Sequence, residues 1–208
     1  MFLFSRDRWC MQRKTEREPK RNRKAEIVEA ADRLLRERGL SGVTTRAIAE
    51  AVPCSEGAIY VHFSGRVELL LAVLEQSLPQ MLIPLHALEE NIGKQTPERN
   101  LLTALQGLQR FHERIGPMLS SLFAEPLLLE SFRKMLDSRA KGPRGGISRI
   151  ARYIEEEQKL GRIPEDRNAE VIASILMSAS FFRSFSTALT GQAIPGLNPR
   201  DLVKSLLG

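Results

Sequence analysis

Hydroxyl groups stand at two positions where short helices should begin. Thr44 comes before an apolar pattern that includes Ile48, and Ser55 comes before one that includes Ile59. A Ser or Thr at a helix N-cap accepts a backbone hydrogen bond, and the free N–H groups of the first turn can bind a phosphate. Pro53 separates the two patterns and cannot continue a helix. The spacing therefore predicts two short helices, joined by a tight turn, whose N-termini can bind anions.

Three more positions in this stretch suit contacts with a polyanion. Arg46 on the first short helix can donate to phosphate oxygens or to a base edge, and Tyr60 on the second can donate its hydroxyl to a phosphate. Gly57 has no side chain, so another backbone can approach it closely. Each also has an ordinary structural use, as a surface arginine, a core tyrosine or a helix-packing glycine. Together they favour contact with a nucleic-acid backbone.

Motifs for catalysis and for metal binding are missing or isolated. Residues 131–134 match Ser-x-x-Lys, but the motifs that accompany it in enzymes are absent, as are a P-loop, a dinucleotide fingerprint and His-Glu-x-x-His. Cys10, Cys54 and the three histidines are scattered, which fits neither a disulfide scaffold nor a metal site. The sequence predicts no enzymatic activity, no metal and no cofactor.

The positive charge is concentrated in the first third of the chain. The formal net charge is +6 over 208 residues. Residues 1–66 contain 14 Lys and Arg against 9 Asp and Glu, whereas the remainder contains 17 against 16. Residues 1–24 are basic and lack an apolar period. We interpret them as a flexible arm that lies along phosphates, enters a minor groove or stays in solvent.

Hydrophobic periodicity predicts helices throughout and no strand. The first helix runs from Ala25 to a stop at Gly39, and the fourth begins near Arg66. Prolines and glycines then predict a break or a kink at Pro79 and Pro84, a helix end at Gly116-Pro117 and an interruption over 142–146. Helix starts are predicted at Thr96-Pro97, Pro126 and Asn198-Pro199. Two further helices are predicted over 147–160 and 169–189. The fold class is all-α.

Membrane spans and targeting segments are not predicted. The longest apolar run, Val171 to Phe182, is shorter than the roughly 20 residues that a transmembrane helix needs. The apolar N-terminus becomes charged at Arg6, before a signal-peptide core could form. We therefore expect a cytoplasmic protein without a membrane partner.

The segment from Ile27 to Glu75 resembles the DNA-binding domain of the TetR family of regulators. The matching features are Ala30-Ala31, Leu34-Leu35, Glu37-Arg38-Gly39, Thr44, Arg46, Ile48-Ala49-Glu50, Ser55-x-Gly57, Tyr60-x-His62-Phe63 and Arg66. The resemblance implies a three-helix helix-turn-helix domain over 25–68, after the arm 1–24, and a larger helical ligand-binding and dimerisation domain over 69–208. It also implies a homodimeric repressor that an unidentified small, apolar effector releases from double-stranded operator DNA. Effector-independent DNA binding and activation are the alternatives.

Three positions depart from the family pattern. Val52-Pro53-Cys54 replaces a small residue and a glycine in the turn, Glu56 replaces a residue that is commonly basic, and Val61 replaces a frequent aromatic. These changes alter the expected operator rather than the fold. We predict that Glu56, Ala58 and Val61 face base edges, that Arg66 holds a phosphate, and that His62 packs between helices. The complete predicted DNA-binding set is Thr44, Thr45, Arg46, Ser55, Glu56, Gly57, Ala58, Tyr60, Val61, His62 and Arg66.

The second domain resembles the family mainly in its layout. Its last long helices are expected to form a four-helix bundle across a two-fold axis. The predicted dimer contacts are Ile147, Ile150, Ala151, Ile154, Ile172, Ile175, Leu176, Ala179 and Phe182, with an intramolecular core as the alternative. The predicted effector pocket is lined by Leu82, His86, Phe111, Met118, Phe123, Phe132, Met135 and Met177, which could equally be core residues. His112 and Arg114 are further candidates for a polar contact with the effector.

Overall fold

The computed structural model describes residues 22–138 and 143–207 and contains only helical elements within them. The α-helices are α1 (Arg23–Arg38), α2 (Thr45–Ala51), α3 (Glu56–His62), α4 (Arg66–Glu90), α5 (Pro97–Leu122), α6 (Pro126–Ser138), α7 (Pro143–Lys159), α8 (Ala169–Thr190) and α9 (Pro199–Leu207), with a 3₁₀ turn over Leu40–Gly42. The all-α prediction is confirmed. Nearly all of the predicted N-terminal arm lies outside the described residues.

Local capping defines the first three helices. Gly39, at φ 67°, lies just past the end of α1 and reaches the left-handed region that favours glycine. The Thr44 hydroxyl accepts the Ala47 N–H at 3.1 Å, and the Ser55 hydroxyl accepts the Ala58 N–H at 3.3 Å. Both predicted N-caps are therefore present. The Pro53 turn separates α2 from α3, as predicted.

The predicted helix end at Gly116-Pro117 is wrong, and neither of the two prolines in α4 ends that helix. Helix α4 continues through Pro79 and Pro84, and α5 continues through Gly116 and Pro117. Helices α4 and α5 pack closely together at Pro84. A Cβ at Gly107 would lie only 2.5 Å from the Cβ of Pro84, so this glycine lets the two helices meet at the proline ring.

Two apolar clusters divide the molecule. The N-terminal core unites α1, α2, α3 and the first half of α4 with Met118, Leu122, Leu128 and Met135 from α5 and α6. The C-terminal core joins the second half of α4 with α5, α7, α8 and α9. The predicted domain boundary at residues 68 and 69 falls within the first turn of α4. This one helix therefore connects the two cores without a linker.

Helix α8 begins at Ala169, as predicted, and ends at Thr190, one residue later than predicted. It has 22 residues, and its most apolar window reaches a mean hydropathy of 1.3. The expectation that no segment is long enough to span a membrane is wrong by this measure. Forty-four per cent of that window is buried, and α8 packs against both α5 and α7. Core helices of globular proteins have the same properties.

Candidate nucleic-acid interface and ligand cavity

The two short helices bring the predicted DNA contacts to one surface. The Thr45 hydroxyl donates to a carboxylate oxygen of Glu56 at 2.7 Å, which ties the start of α2 to the start of α3. A surface groove of about 270 Å³ is lined by Thr44, Tyr60 and Arg66 among others. The N-terminus of α2, the outer face of α3 and the start of α4 therefore lie side by side.

The outer face of α3 is open to solvent. Val61 is 81% exposed and Tyr60 is 58% exposed, although both are large apolar or aromatic residues. A Cβ at Gly57 would meet nothing closer than the Ser55 hydroxyl at 3.8 Å, so helix packing does not require this glycine. Ile59 and Phe63 point the other way, into the N-terminal core. Helix α3 therefore has one face buried in the N-terminal core and one face exposed to solvent. We refer to the exposed face as the reading face.

The charged side chains of this surface have weak or replaceable partners. Arg46 pairs with Glu50 at 3.1 Å, and both side chains are largely exposed. Such a surface pair contributes little free energy, so the guanidinium can exchange it for a phosphate. Glu56 is held by Thr45 and carries negative charge at the first turn of α3. Ala58 and His62 are half-buried at the edge of the same face.

Arg66 has an intramolecular role that its sequence position does not reveal. One guanidinium nitrogen donates to the Leu40 carbonyl at 2.6 Å, and another lies 3.1 Å from the Glu125 carboxylate. Glu125 immediately precedes α6. Arg66, which we predict to hold a phosphate, therefore also joins the start of α4 to the α5–α6 turn.

An apolar cavity of about 520 Å³ lies where α4, α5, α6, α7 and α8 meet. Three of its predicted lining residues, Phe111, Phe132 and Met177, line it. Five do not: Met118 and Met135 belong to the N-terminal core, Leu82 packs against the C-terminal core, and Phe123 and His86 are exposed. The remaining lining residues are Leu74, Leu78, Met81, His112, Ile115, Leu119, Leu136, Ile147, Ser178, Phe181 and Phe182.

His112 is the buried polar group in this cavity wall. Its Nδ1 lies 3.1 Å from the Ser180 hydroxyl, and the rings of Phe111 and Phe181 are each centred 5.5 Å from the imidazole. Burial lowers the pKa of His112 from 6.5 to about 4, because the charged form loses its hydration. The imidazole is therefore neutral at physiological pH.

Arg114 reaches the N-terminal core from the same turn of α5. It donates to the Asp32 carboxylate of α1 at 2.9 Å, and Arg36 lies at the same distance from that carboxylate. Asp32 is buried, so this pair is shielded from solvent. Arg114 thus links the two parts of the molecule, which differs from its predicted contact with an effector.

The predicted dimer contacts include many residues that are buried within their own chain. Five belong to the C-terminal core, because α7 and α8 turn them towards α4, α5 and each other: Ile150, Ala151, Ile154, Ile172 and Leu176. Ala179 is also buried, and Ile147 lines the cavity. Their burial supports the alternative of an intramolecular role, and the dimer interface stays a prediction. Ile175 and Phe182 remain exposed.

Comparisons with known proteins agree with this geometry. The model of a family described as bacterial regulatory proteins, tetR family, matches residues 27–73, which include α1, α2 and α3. The HTH-type transcriptional regulator TtgR of Pseudomonas putida is 42% identical over 65 residues, which are 31% of this chain and 30% of that protein. The HTH-type transcriptional repressor AcnR of Corynebacterium diphtheriae is 41% identical over 59 residues, 28% of this chain and 31% of that one. The chain thus aligns with less than a third of either relative.

The similarity of fold extends over the whole helical architecture. A crystal structure of a putative TetR-family transcriptional regulator from Mesorhizobium loti superposes with a TM-score of 0.71 at 18% identity, covering 91% of this chain and 98% of that one. The matched family and these relatives are described as transcription regulators. The capped helices, the exposed face of α3 and the matched segment agree on one point: residues 27–73 are similar to the DNA-binding domain of the tetR family of bacterial regulatory proteins.

Proposed function

We propose that the protein is a cytoplasmic, homodimeric repressor that binds operator DNA through α2 and α3 and leaves it when a small apolar molecule enters the cavity. The observation that carries the DNA-binding part is the shared surface of Thr44, Tyr60 and Arg66 beside the exposed face of α3. Helix N-termini, hydroxyls and a tyrosine suit the phosphate backbone, whereas Val61 suits a thymine methyl.

Dimerisation is supported by an unpartnered apolar stripe along α8. The exposed or half-exposed positions follow one another at alternating spacings of four and three residues, as in helices that pack together along their length. They are Val171, Ile175, Ser178, Phe182, Phe185 and Leu189. The proposal requires that a second copy of the chain packs against this stripe, because an operator with two half-sites is bound by two DNA-binding domains.

Replacing Ile175 with Glu should convert the dimer to a monomer at micromolar concentration. The substitution places one carboxylate from each copy at the centre of the stripe, where both would lose their hydration. Sedimentation equilibrium measures the mass directly. Ile83→Glu makes the same substitution at an exposed isoleucine on α4; it is the control and should stay dimeric. A dimeric Ile175→Glu protein would contradict this interface.

Two ion pairs connect the helices around the cavity to the DNA-binding domain. Helix α5 contributes Phe111 and Ile115 to the cavity and Arg114 to the Asp32 pair on α1. The turn that precedes α6 contributes Glu125 to the Arg66 pair on α4. A ligand that displaces α5 or α6 would therefore act on α1 and α4 together. The effector would favour a distance between the two DNA-binding domains of the dimer that does not fit the operator.

The proposed function is tested with an operator selected by the protein from a random duplex library. Fluorescence anisotropy should give tight binding that weakens steeply with salt, with a log–log slope of about −4 or steeper. Small molecules that raise the melting temperature should then release the DNA. Binding without release by any stabilising ligand would favour an effector-independent regulator, and an effector that tightens DNA binding would contradict the release mechanism. Failure to select any duplex would overturn the proposal.

A further inference from the structure

The cavity wall shows which charge its ligand can carry. Twelve of the fourteen lining residues are apolar, and the other two are His112 and Ser178, so no Asp, Glu, Lys or Arg lines the cavity among the residues that the structure describes. An ionised ligand would give up its hydration without gaining a counter-ion, so it would bind more weakly than a neutral molecule of the same shape. The wall therefore favours an uncharged molecule.

The imidazole of His112 is held in one orientation. The Ser180 hydroxyl engages Nδ1, and the flanking rings of Phe111 and Phe181 restrict rotation. This arrangement leaves Nε2 for a ligand. The serine hydroxyl can either donate to or accept from Nδ1, so Nε2 can correspondingly act as a donor or as an acceptor. A ligand hydroxyl or carbonyl can satisfy it in either case.

The aromatic residues define the rest of the ligand. Phe111, Phe132, Phe181 and Phe182 contribute rings to the wall, and flat aromatic molecules pack well against such rings. A volume of about 520 Å³ accommodates several fused rings.

We infer that the cavity selects an uncharged aromatic molecule with one hydroxyl or carbonyl group, which Nε2 of His112 hydrogen-bonds while Ser180 positions the ring. The inference rests on the proposed function of the cavity as the effector site. It adds a specificity-determining contact and excludes lipophilic acids and cations as preferred ligands. The neutrality of the buried imidazole agrees with this choice, because it supplies no positive charge for a carboxylate.

A series of pyrene derivatives tests the inference on the full-length protein without DNA. Pyrene fluorescence reports binding of 1-hydroxypyrene, pyrene, 1-pyrenecarboxylate and 1-pyrenemethylammonium directly, and 2-naphthol with naphthalene provides a smaller pair. The hydroxyl derivative should bind about tenfold more tightly than the hydrocarbon, which is the gain expected from one hydrogen bond in a dry site. Both ions should bind more weakly than 1-hydroxypyrene.

Variants identify the contact. In His112→Leu, the ratio of the affinity for 1-hydroxypyrene to that for pyrene should fall close to one. Pyrene should still bind, which distinguishes loss of the hydrogen bond from loss of the fold. Ser180→Ala should reduce the same ratio. His86→Leu, an exposed histidine on α4, and Ser186→Ala, a buried serine of α8 that does not line the cavity, are the matched controls and should retain the ratio.

Several results would overturn the inference. These are tighter binding of the carboxylate or the ammonium, an unchanged preference in His112→Leu, and no binding of any probe of either size. The proposed function can fail separately. If the hydroxyl preference depends on His112 but bound probes leave operator affinity unchanged, the ligand class stands and the release mechanism does not.

Discussion

Replacing Val61 with Glu should weaken operator binding by about 100-fold, or about 2.7 kcal/mol, without destabilising the protein. Val61 is 81% exposed on the outer face of α3, so the folded chain makes little use of its side chain. A carboxylate at this position would lose an apolar contact with a base edge and would face the phosphates of the DNA. Anisotropy titrations against the selected operator measure the change.

Two further substitutions make the result specific to the reading face. Leu160→Glu introduces the same charge at an exposed position just after α7, and it should leave DNA affinity within about threefold of the parent. Val61→Ala removes the contact without adding charge and should cost less than Val61→Glu. If Val61→Glu binds the operator as the parent does at equal salt concentration, α3 does not read the DNA.

Replacing Glu157 with Ala should lower the free energy of unfolding by about 3–5 kcal/mol. This carboxylate on α7 is fully buried. One oxygen accepts the Gly93 N–H at 3.0 Å, and the other lies 3.3 Å from Nε of Arg162. Arg162 also donates to the carbonyls of Lys94 and Gln95 in the α4–α5 turn. Without Glu157, the partly buried arginine would lose its counter-ion and the Gly93 N–H would lose its acceptor.

The neighbouring glutamate provides the control for this prediction. Glu156 pairs with Lys159 on the partly exposed side of α7, so Glu156→Ala should change stability by less than about 0.5 kcal/mol. Urea denaturation followed by circular dichroism, at one fixed protomer concentration, measures both variants. A loss below 1 kcal/mol for Glu157→Ala would show that the buried pair does not hold the α4–α5 turn.

The helix-turn-helix could be predicted because its determinants are local. Thr44 and Ser55 cap helices through backbone N–H groups only three residues away, and Gly39 terminates α1 through its own φ angle. The alternation of Ile59 inside and Val61 outside also follows from helical periodicity alone. These signals operate within one or two turns of chain, so the sequence contained them in full.

Local sequence patterns cannot identify the contacts that a side chain makes with residues far away in the chain. Pro84 packs against Gly107 of α5, where a Cβ would overlap its ring. Arg66 binds Glu125 rather than standing free, a partner that is 59 positions away and that local spacing cannot identify. Periodicity marks the apolar faces of α7 and α8 but does not say whether other helices of the chain or a second copy cover them.

The sequence by itself determined the all-helical class, the DNA-binding segment and the two helix caps at its reading surface, because each depends on contacts between near neighbours. Tertiary structure decided which apolar residues enclose the cavity, that His112 rather than His86 lies in its wall, and which face of α8 stays open. The physical reason is that burial is a property of the assembled helices. A side chain becomes core, cavity wall or exposed stripe only when its neighbours from other helices are in place.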